Sequence, residues 1–249
     1  AIIRDKEVKT LLAAVDEAQL DQWQLANFKQ MQRIWQHETA ISQKLKQTFL
    51  QHGLQCEFVW RKARLANDFK KFAVELEKVV GDVREIAEIK SQKLGLSEYD
   101  ALLDSYDPGM RSKDIDVIFN DLEEFLPDFV NQAIAQQKPH GLNLEYDFPI
   151  EKQRKLVSLF MQKLGFDEKW GRLDESHHPF CGGYKNDVRI TTRFKEGDFL
   201  QGLMGVIHET GHGLYESGLP EKFQNQPAGE ALGMSMHESQ SLFHEMQIA

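Results

Sequence analysis

The sequence predicts a mainly α protein with one small β element. Three observations carry this. Lys6 to Gln51 is rich in Leu, Ala, Gln, Glu and Lys and contains no Pro or Gly. Apolar residues recur at three- and four-residue spacing along most of the chain. A single segment, Asp187–Arg193, alternates polar with β-branched residues. With 249 residues, 41% hydrophobic and 28% charged, the chain can bury a core without a disulfide or metal staple. A metal site here would therefore serve chemistry rather than folding.

Lys6–Gln51 reads as one long amphipathic helix ending near Gly53. Glu57–Leu94 reads as helix with a break near Asn67–Asp68, and the connector Asp104–Met110 carries Pro108–Gly109 and reads as a turn. Ser112 stands where a cap is needed for a helix reaching Gln137. Ile150–Leu164 follows as helix, with Gly165 just past its end. Gly, Pro, His and aromatics then cluster up to Asp198 around the strand. Its alternation puts Val188, Ile190 and Thr192 on one side and Asp187, Arg189, Thr191 and Arg193 on the other. Helix returns from Phe199 to Tyr215 and from Gly229 to the end. With no repeat and no linker, residues 1–249 are expected to form a single domain. Its helical part covers 1–164, and 165–249 holds the β element and the last two helices.

Thirty Lys+Arg against 39 Asp+Glu give a net charge of -9, and no basic stretch is interleaved with aromatics, which disfavours nucleic acid as a partner. No apolar run approaches the roughly 18 residues needed to cross a bilayer. The first segment has neither the apolar centre nor the cleavage site of a signal peptide, so a cytoplasmic protein is expected. Cys56 and Cys181 are read as free thiols in a reducing compartment.

The sharpest chemical signal is His208-Glu209-Thr-Gly-His212 within an apolar helix. Residues four apart on a helix differ by about 40° in azimuth, so both imidazoles leave one face and can close on one ion. Glu209, one position on, can reach a water at that ion without being a ligand. By contrast, His37-Glu38 has no second His four residues on and reads as an exposed helix face. Gly211 and Gly213 each disfavour helix by about 1 kcal/mol relative to Ala. Close approach of another helix, or of substrate backbone, would explain them, and Gly211→Leu should then abolish activity while leaving helicity intact. A catalytic zinc takes three protein ligands and keeps one position open. Glu216 lies about 12 Å along the axis from His208 and cannot easily converge on the same ion. His237, Glu238, His244 and Glu245 on the next helix are all eligible, and spacing alone does not choose among them.

Taken together, His208-Glu-Thr-Gly-His212, His178-Pro-Phe180, Asp187-x-Arg-x-Thr191 and His237-Glu-Ser-Gln240 resemble, in order and separation, the carboxypeptidase Taq family of zinc metallocarboxypeptidases. Trp60–Phe69 and Tyr99–Met110 are also similar to family sequence. The resemblance implies a multi-helix zinc metallopeptidase domain with Glu238 as third ligand and Glu209 as general base, leaving His237 beside the ligand set. It also implies zinc, or another divalent ion such as cobalt, peptide substrates cleaved at the C-terminus with broad specificity, and a homodimer. Family members are about twice as long. The motifs Ile-Arg-x-x-Ala-Asp and Gly-x-x-Gln-Asp-x-His-Trp are not found here, so the chain is expected to correspond to part of the catalytic domain, its C-terminal half missing and its start shortened.

Substrate recognition by such an enzyme requires a group for the terminal carboxylate, and Arg189 and Arg193 are eligible, as bidentate partners. An internal pair of either with Asp187 or another carboxylate is the competing account. His178 can face the reaction or hold its loop, and the strand can pair with substrate backbone. The alternatives are a related helical zinc oligopeptidase or dipeptidase, a metal-binding but inactive fragment, and a helical scaffold in which the His-Glu-x-x-His set is idle.

Overall fold

The structure, a computed structural model, describes residues 2–137, 147–176 and 178–248. Among them are nine α-helices: α1 Lys6–Ala14, α2 Gln22–Ala40, α3 Gln43–Leu65, α4 Phe69–Leu94, α5 Glu98–Leu103, α6 Ser112–Gln136, α7 Ile150–Leu164, α8 Phe199–Gly218 and α9 Met234–Ile248. Three strands, β1 Gly171–Glu175, β2 Phe180–Tyr184 and β3 Asp187–Thr192, form one sheet in the order β1-β3-β2. The class is thus mainly α with a small β element. The chain forms two compact units, Ala1–Asp121 and Leu122–Ala249, with the boundary inside α6.

The long helix expected over Lys6–Gln51 is instead three helices, because short polar side chains stop and restart it. Asp5, Asp21 and Ser42 each accept a hydrogen bond from a first-turn backbone N–H of the helix that follows. Asp21 and Gln24 do so reciprocally. Gly53 does not end a helix either; α3 passes through it with open space where a Cβ would stand. The break at Asn67–Asp68 is real: Asn67 has φ 51° and Asp68 caps α4. Ser112 is the first residue of α6 rather than its cap, its N–H donating to Asp100 Oδ1 at 2.8 Å.

In the first unit, Ile41, Leu45 and Ile86 are buried together with Phe49, Ile89 and Leu102 around them. A polar knot closes the end of α5. Asp104 Oδ2 accepts from Arg33 Nε at 3.1 Å and lies 2.9 Å from His37 Nε2, while Oδ1 accepts from Arg111 at 2.8 Å and from the Gly109 N–H at 3.1 Å. His37 is therefore a bonded, largely covered side chain, not the exposed face that its sequence context suggests. Burial pushes the Asp104 carboxyl up, but His37, Arg111, the Gly109 N–H and Arg33 outweigh it and hold the group well below the usual carboxylate range. Asp104→Ala leaves two guanidiniums without their counter-ion, and a loss of about 3 kcal/mol in unfolding free energy is expected by urea titration at pH 7. Because the folded-state pKa is depressed, the contribution is full above the unfolded value near 4 and fades as pH falls below it, so parent and Asp104→Asn should converge in acid.

In the second unit, α7 ends as expected, with Gly165 left-handed at φ 98°. Val157 and Met161 of α7, Val188 and Ile190 of β3 and Val206 and Ile207 of α8 are each at most 1% exposed and make one core. The expected strand is present as β3, its Val188, Ile190 and Thr192 inward and Asp187, Arg189 and Arg193 outward. Thr191, expected outward, is buried, its hydroxyl hydrogen-bonded to Ser176 and the His178 carbonyl. β3 is also not alone: it pairs parallel with β1 and antiparallel with β2. Both of its edges are filled, which removes it as a strand for pairing with substrate.

Candidate metal centre

The site is built on α8, capped at its start by Asp198, whose Oδ1 accepts from the Gln201 N–H. Unlike a surface helix, α8 is buried around much of its circumference, Glu209–Gly213 included. Its two glycines answer to different neighbours. A Cβ on Gly213 would stand 3.1 Å from both Phe166 Cε2 and Val188 Cγ1, on the sheet side. A Cβ on Gly211 would stand 2.6 Å from Ser241 Cα and 2.7 Å from the Gln240 carbonyl, that is, inside the backbone of α9. Close approach of a second helix is thus what Gly211 permits.

That approach brings Glu238 of α9 over the His208 and His212 face. Glu238 Oε2 lies 3.4 Å from His208 Nε2, and its Oε1 lies 3.7 Å from His212 Nε2. One ligand atom from each of the three residues falls within 4.8 Å of the others, and this is the one such group of His, Cys, Asp and Glu found among the described residues. Two imidazole nitrogens and a carboxylate oxygen so disposed can hold a divalent ion and leave it an open position. Of the four residues on α9 left open by spacing, Glu238 is the one in the group.

The remaining polar groups support these three. Ser241, fully buried, donates to Glu238 Oε2 at 2.9 Å. His208 Nδ1 lies 3.0 Å from Glu245 Oε2, His212 Nδ1 lies 3.1 Å from His237 Nδ1, and His237 Nε2 lies 2.8 Å from Glu216 Oε1. Glu216, Ser241 and Glu245 were not assigned these tasks from sequence. Their signal was helical phase: Glu216 repeats the four-residue step from His212, while Ser241 and Glu245 follow Glu238 by three and seven. His244 stays outside, its ring edge-on to Phe243.

Burial pushes the Glu209 carboxyl up; His208 pulls it down, Glu238 adds to the rise and His178 pulls it down. Burial lowers His212, against the pull of Glu238, which favours the neutral imidazole that a metal needs. Burial, with Glu209 and Glu216 nearby, pushes the Cys181 thiol up to about 12, leaving it a neutral thiol. Both cysteines are free.

The residues eligible for substrate contribute no atom to this group of three. Arg189 is exposed and makes two bonds to Asp187, at 3.0 and 2.8 Å. Arg193 is exposed just past the end of β3. His178 stands in the loop before β2 with Nδ1 2.7 Å from the Pro179 carbonyl.

The family model described as carboxypeptidase Taq (M32) metallopeptidase matches residues 1–249. The chain belongs to that family. Among M32 relatives and similar proteins, thermostable carboxypeptidase 1 of Thermus thermophilus is 34% identical over 86% of this chain and 44% of its own length. Carboxypeptidase 1 of Bacillus subtilis is 39% identical over 76% of this chain and 38% of its own. Of solved structures, metallocarboxypeptidase 1 of Trypanosoma cruzi superposes with a TM-score of 0.87 at 36% identity, covering 99% of this chain and 50% of that one. The M32 carboxypeptidase of Deinococcus radiodurans gives 0.84 at 30% identity with the same coverage. This chain spans about half the length of the proteins it matches. No helix among the described residues is long and apolar enough to cross a membrane.

Proposed function

We propose that the chain carries the metal centre and proton-transfer carboxylate of a zinc metallocarboxypeptidase that removes C-terminal residues from peptides with broad specificity. The observation that carries this is the convergence of His208, His212 and Glu238 within 4.8 Å beside the buried carboxyl of Glu209. The donor set fits zinc or cobalt: neutral imidazoles and one carboxylate suit a borderline ion, whereas magnesium and calcium prefer all-oxygen sites.

Held by His208, His212 and Glu238, a divalent ion would supply Lewis-acid polarisation of a scissile carbonyl and lower the pKa of the attacking water so that a base can deprotonate it. Glu209 takes the proton from the attacking water and hands it to the leaving amine. Its burial raises its basicity toward that task. Peptide backbone can add along β2, an edge strand in the order β1-β3-β2, which gives affinity without demanding a particular side chain. Membership of the M32 family also supports a homodimer, which light scattering checks.

The test is hydrolysis of an N-blocked peptide followed by mass spectrometry. The expected products are single residues released successively from the C-terminus, abolished by a chelator and restored by zinc or cobalt. Internal cuts would replace this reading with the oligopeptidase one, and persistence after chelation would remove the metal from it.

A further inference from the structure

The two imidazoles of α8 are tethered differently, and the difference has a chemical consequence. His208 Nδ1 meets a carboxylate directly, 3.0 Å away at Glu245. His212 Nδ1 meets another imidazole, His237, which in turn meets Glu216. Two hydrogen bonds in series leave little freedom in where the hydrogens lie. A carboxylate only accepts, so His237 Nε2 must donate to Glu216. A neutral His237 then has a bare Nδ1, which can only accept, so His212 Nδ1 must donate to it. A neutral His212 carrying its hydrogen on Nδ1 has a bare Nε2, and that is the atom facing Glu238 at 3.7 Å. Without Glu216 the chain can run in reverse, with His237 donating and the hydrogen of His212 moved to Nε2, where it blocks coordination.

The surroundings hold this line in place. Glu216 follows His212 by four residues, so both project from one face of α8. The His237 ring is held edge-on by Tyr215 at 4.8 Å between centroids, and only 15% of its side chain is exposed. Tyr215 is itself anchored, its hydroxyl accepting from the Leu232 N–H at 3.2 Å. Glu216 also borders a cavity of about 280 Å³ with Lys185, Tyr184 and Gln224 in its wall, and 26% of its side chain is exposed.

We propose that Glu216 is a positioning residue for the metal centre: acting through His237, its carboxylate dictates which nitrogen of His212 carries the hydrogen and keeps Nε2 bare for the ion. This rests on the metal reading of His208, His212 and Glu238. Carboxylate–histidine–metal arrangements fix tautomer and orientation, and losing such an outer partner costs about 10–100-fold in metal affinity. Here one imidazole is interposed.

The test is zinc affinity by competition with a chromogenic chelator, on the parent and on Glu216→Ala, Glu216→Gln, His237→Phe and the double variant His237→Phe with Glu216→Ala. Glu216→Ala and His237→Phe should each weaken binding by about 10–100-fold. Glu216→Gln, whose amide oxygen still accepts from His237, should stay within a few-fold of the parent. The double variant should be no weaker than His237→Phe, because Glu216 acts only through that ring. Unchanged affinity in Glu216→Ala, additive losses in the double variant, or a Gln variant as weak as the Ala variant would overturn the relay. A parent that holds no zinc overturns the metal reading and the relay with it. Imidazole nitrogen shifts of the metal-free parent provide the check that needs no variant: His212 should be the Nδ1–H tautomer and His237 the Nε2–H tautomer, and the reverse pair refutes the proposal.

Discussion

Glu238→Ala is expected to strip zinc from the protein while Glu209→Gln keeps it, and the two together should separate holding the ion from using it. Elemental analysis of the gel-filtered parent should return about one equivalent. Glu238→Ala should return almost none, because its two oxygens each face one imidazole and no other carboxylate of α9 is in the group to replace it. The loss should exceed the roughly 10–100-fold that an outer partner costs. Glu209→Gln removes no ligand atom, so its zinc content should match the parent, yet hydrolysis should fall by about 10²–10⁴-fold, the usual worth of a positioned general base. Zinc retained in Glu238→Ala would refute the His, His, Glu set. Activity retained in Glu209→Gln would refute the proton-transfer role and leave the ligand set standing.

The second large effect is at Gly211, where the side chain that is missing matters more than any present. A Cβ there would overlap backbone, at 2.6 Å from Ser241 Cα, and backbone cannot swing aside as a side chain can. α9 must withdraw by roughly 1 Å even for Ala and further for Leu, carrying Glu238 with it, and a displacement of that size near a reacting centre can cost about 10²-fold. Intrinsic helix propensity changes the other way, by about 1 kcal/mol in favour of the substitution. Gly211→Leu should therefore retain its far-ultraviolet circular dichroism and lose both zinc and activity. Gly53→Ala is the control: it sits mid-helix in α3 with open space at the Cβ position and should stabilise the protein by about 0.5–1 kcal/mol. Full zinc content and activity in Gly211→Leu would mean that α9 tolerates displacement and that the close approach is incidental.

These residues also mark how far the sequence could be read. Helix α7 and strand β3 were legible because one residue type at each boundary or face is decisive: a left-handed glycine closes the first, and β-branched alternation makes the second. The first three helices were not separable by periodicity, since the breaks capped by Asp21 and Ser42 interrupt hydrogen bonding without disturbing the apolar spacing. β2, Phe-Cys-Gly-Gly-Tyr, has strand-forming aromatics only at its two ends, with a Gly-Gly pair between them that reads as a turn; Gly183 lies against the Asp187 carbonyl, where a Cβ would not fit. In the site, His208, Glu209 and His212 were legible because one helix relates them. The phase of α9 was not, because it depends on how closely two helices approach, and that is decided at Gly211 and Ser241. Family resemblance pointed to Glu238 where spacing alone could not.

The layout of the centre along the chain also bears on how the protein acquires it. His212 and His237 are separated by 25 positions and His208 and Glu245 by 37, whereas the Asp104 knot joins residues up to 71 apart. The entropy of closing a loop grows with its length, by about 0.6 kcal/mol for each doubling, and contacts between near neighbours in sequence form sooner. α8 and α9 are joined by the connector Leu219–Gly233, so their meeting closes a shorter loop than the contact of Arg33 with Asp104 does. The residues of the candidate metal centre thus lie nearer to one another in sequence than Arg33 and Asp104 do, and the loop closure that assembles them takes the smaller entropy loss of the two.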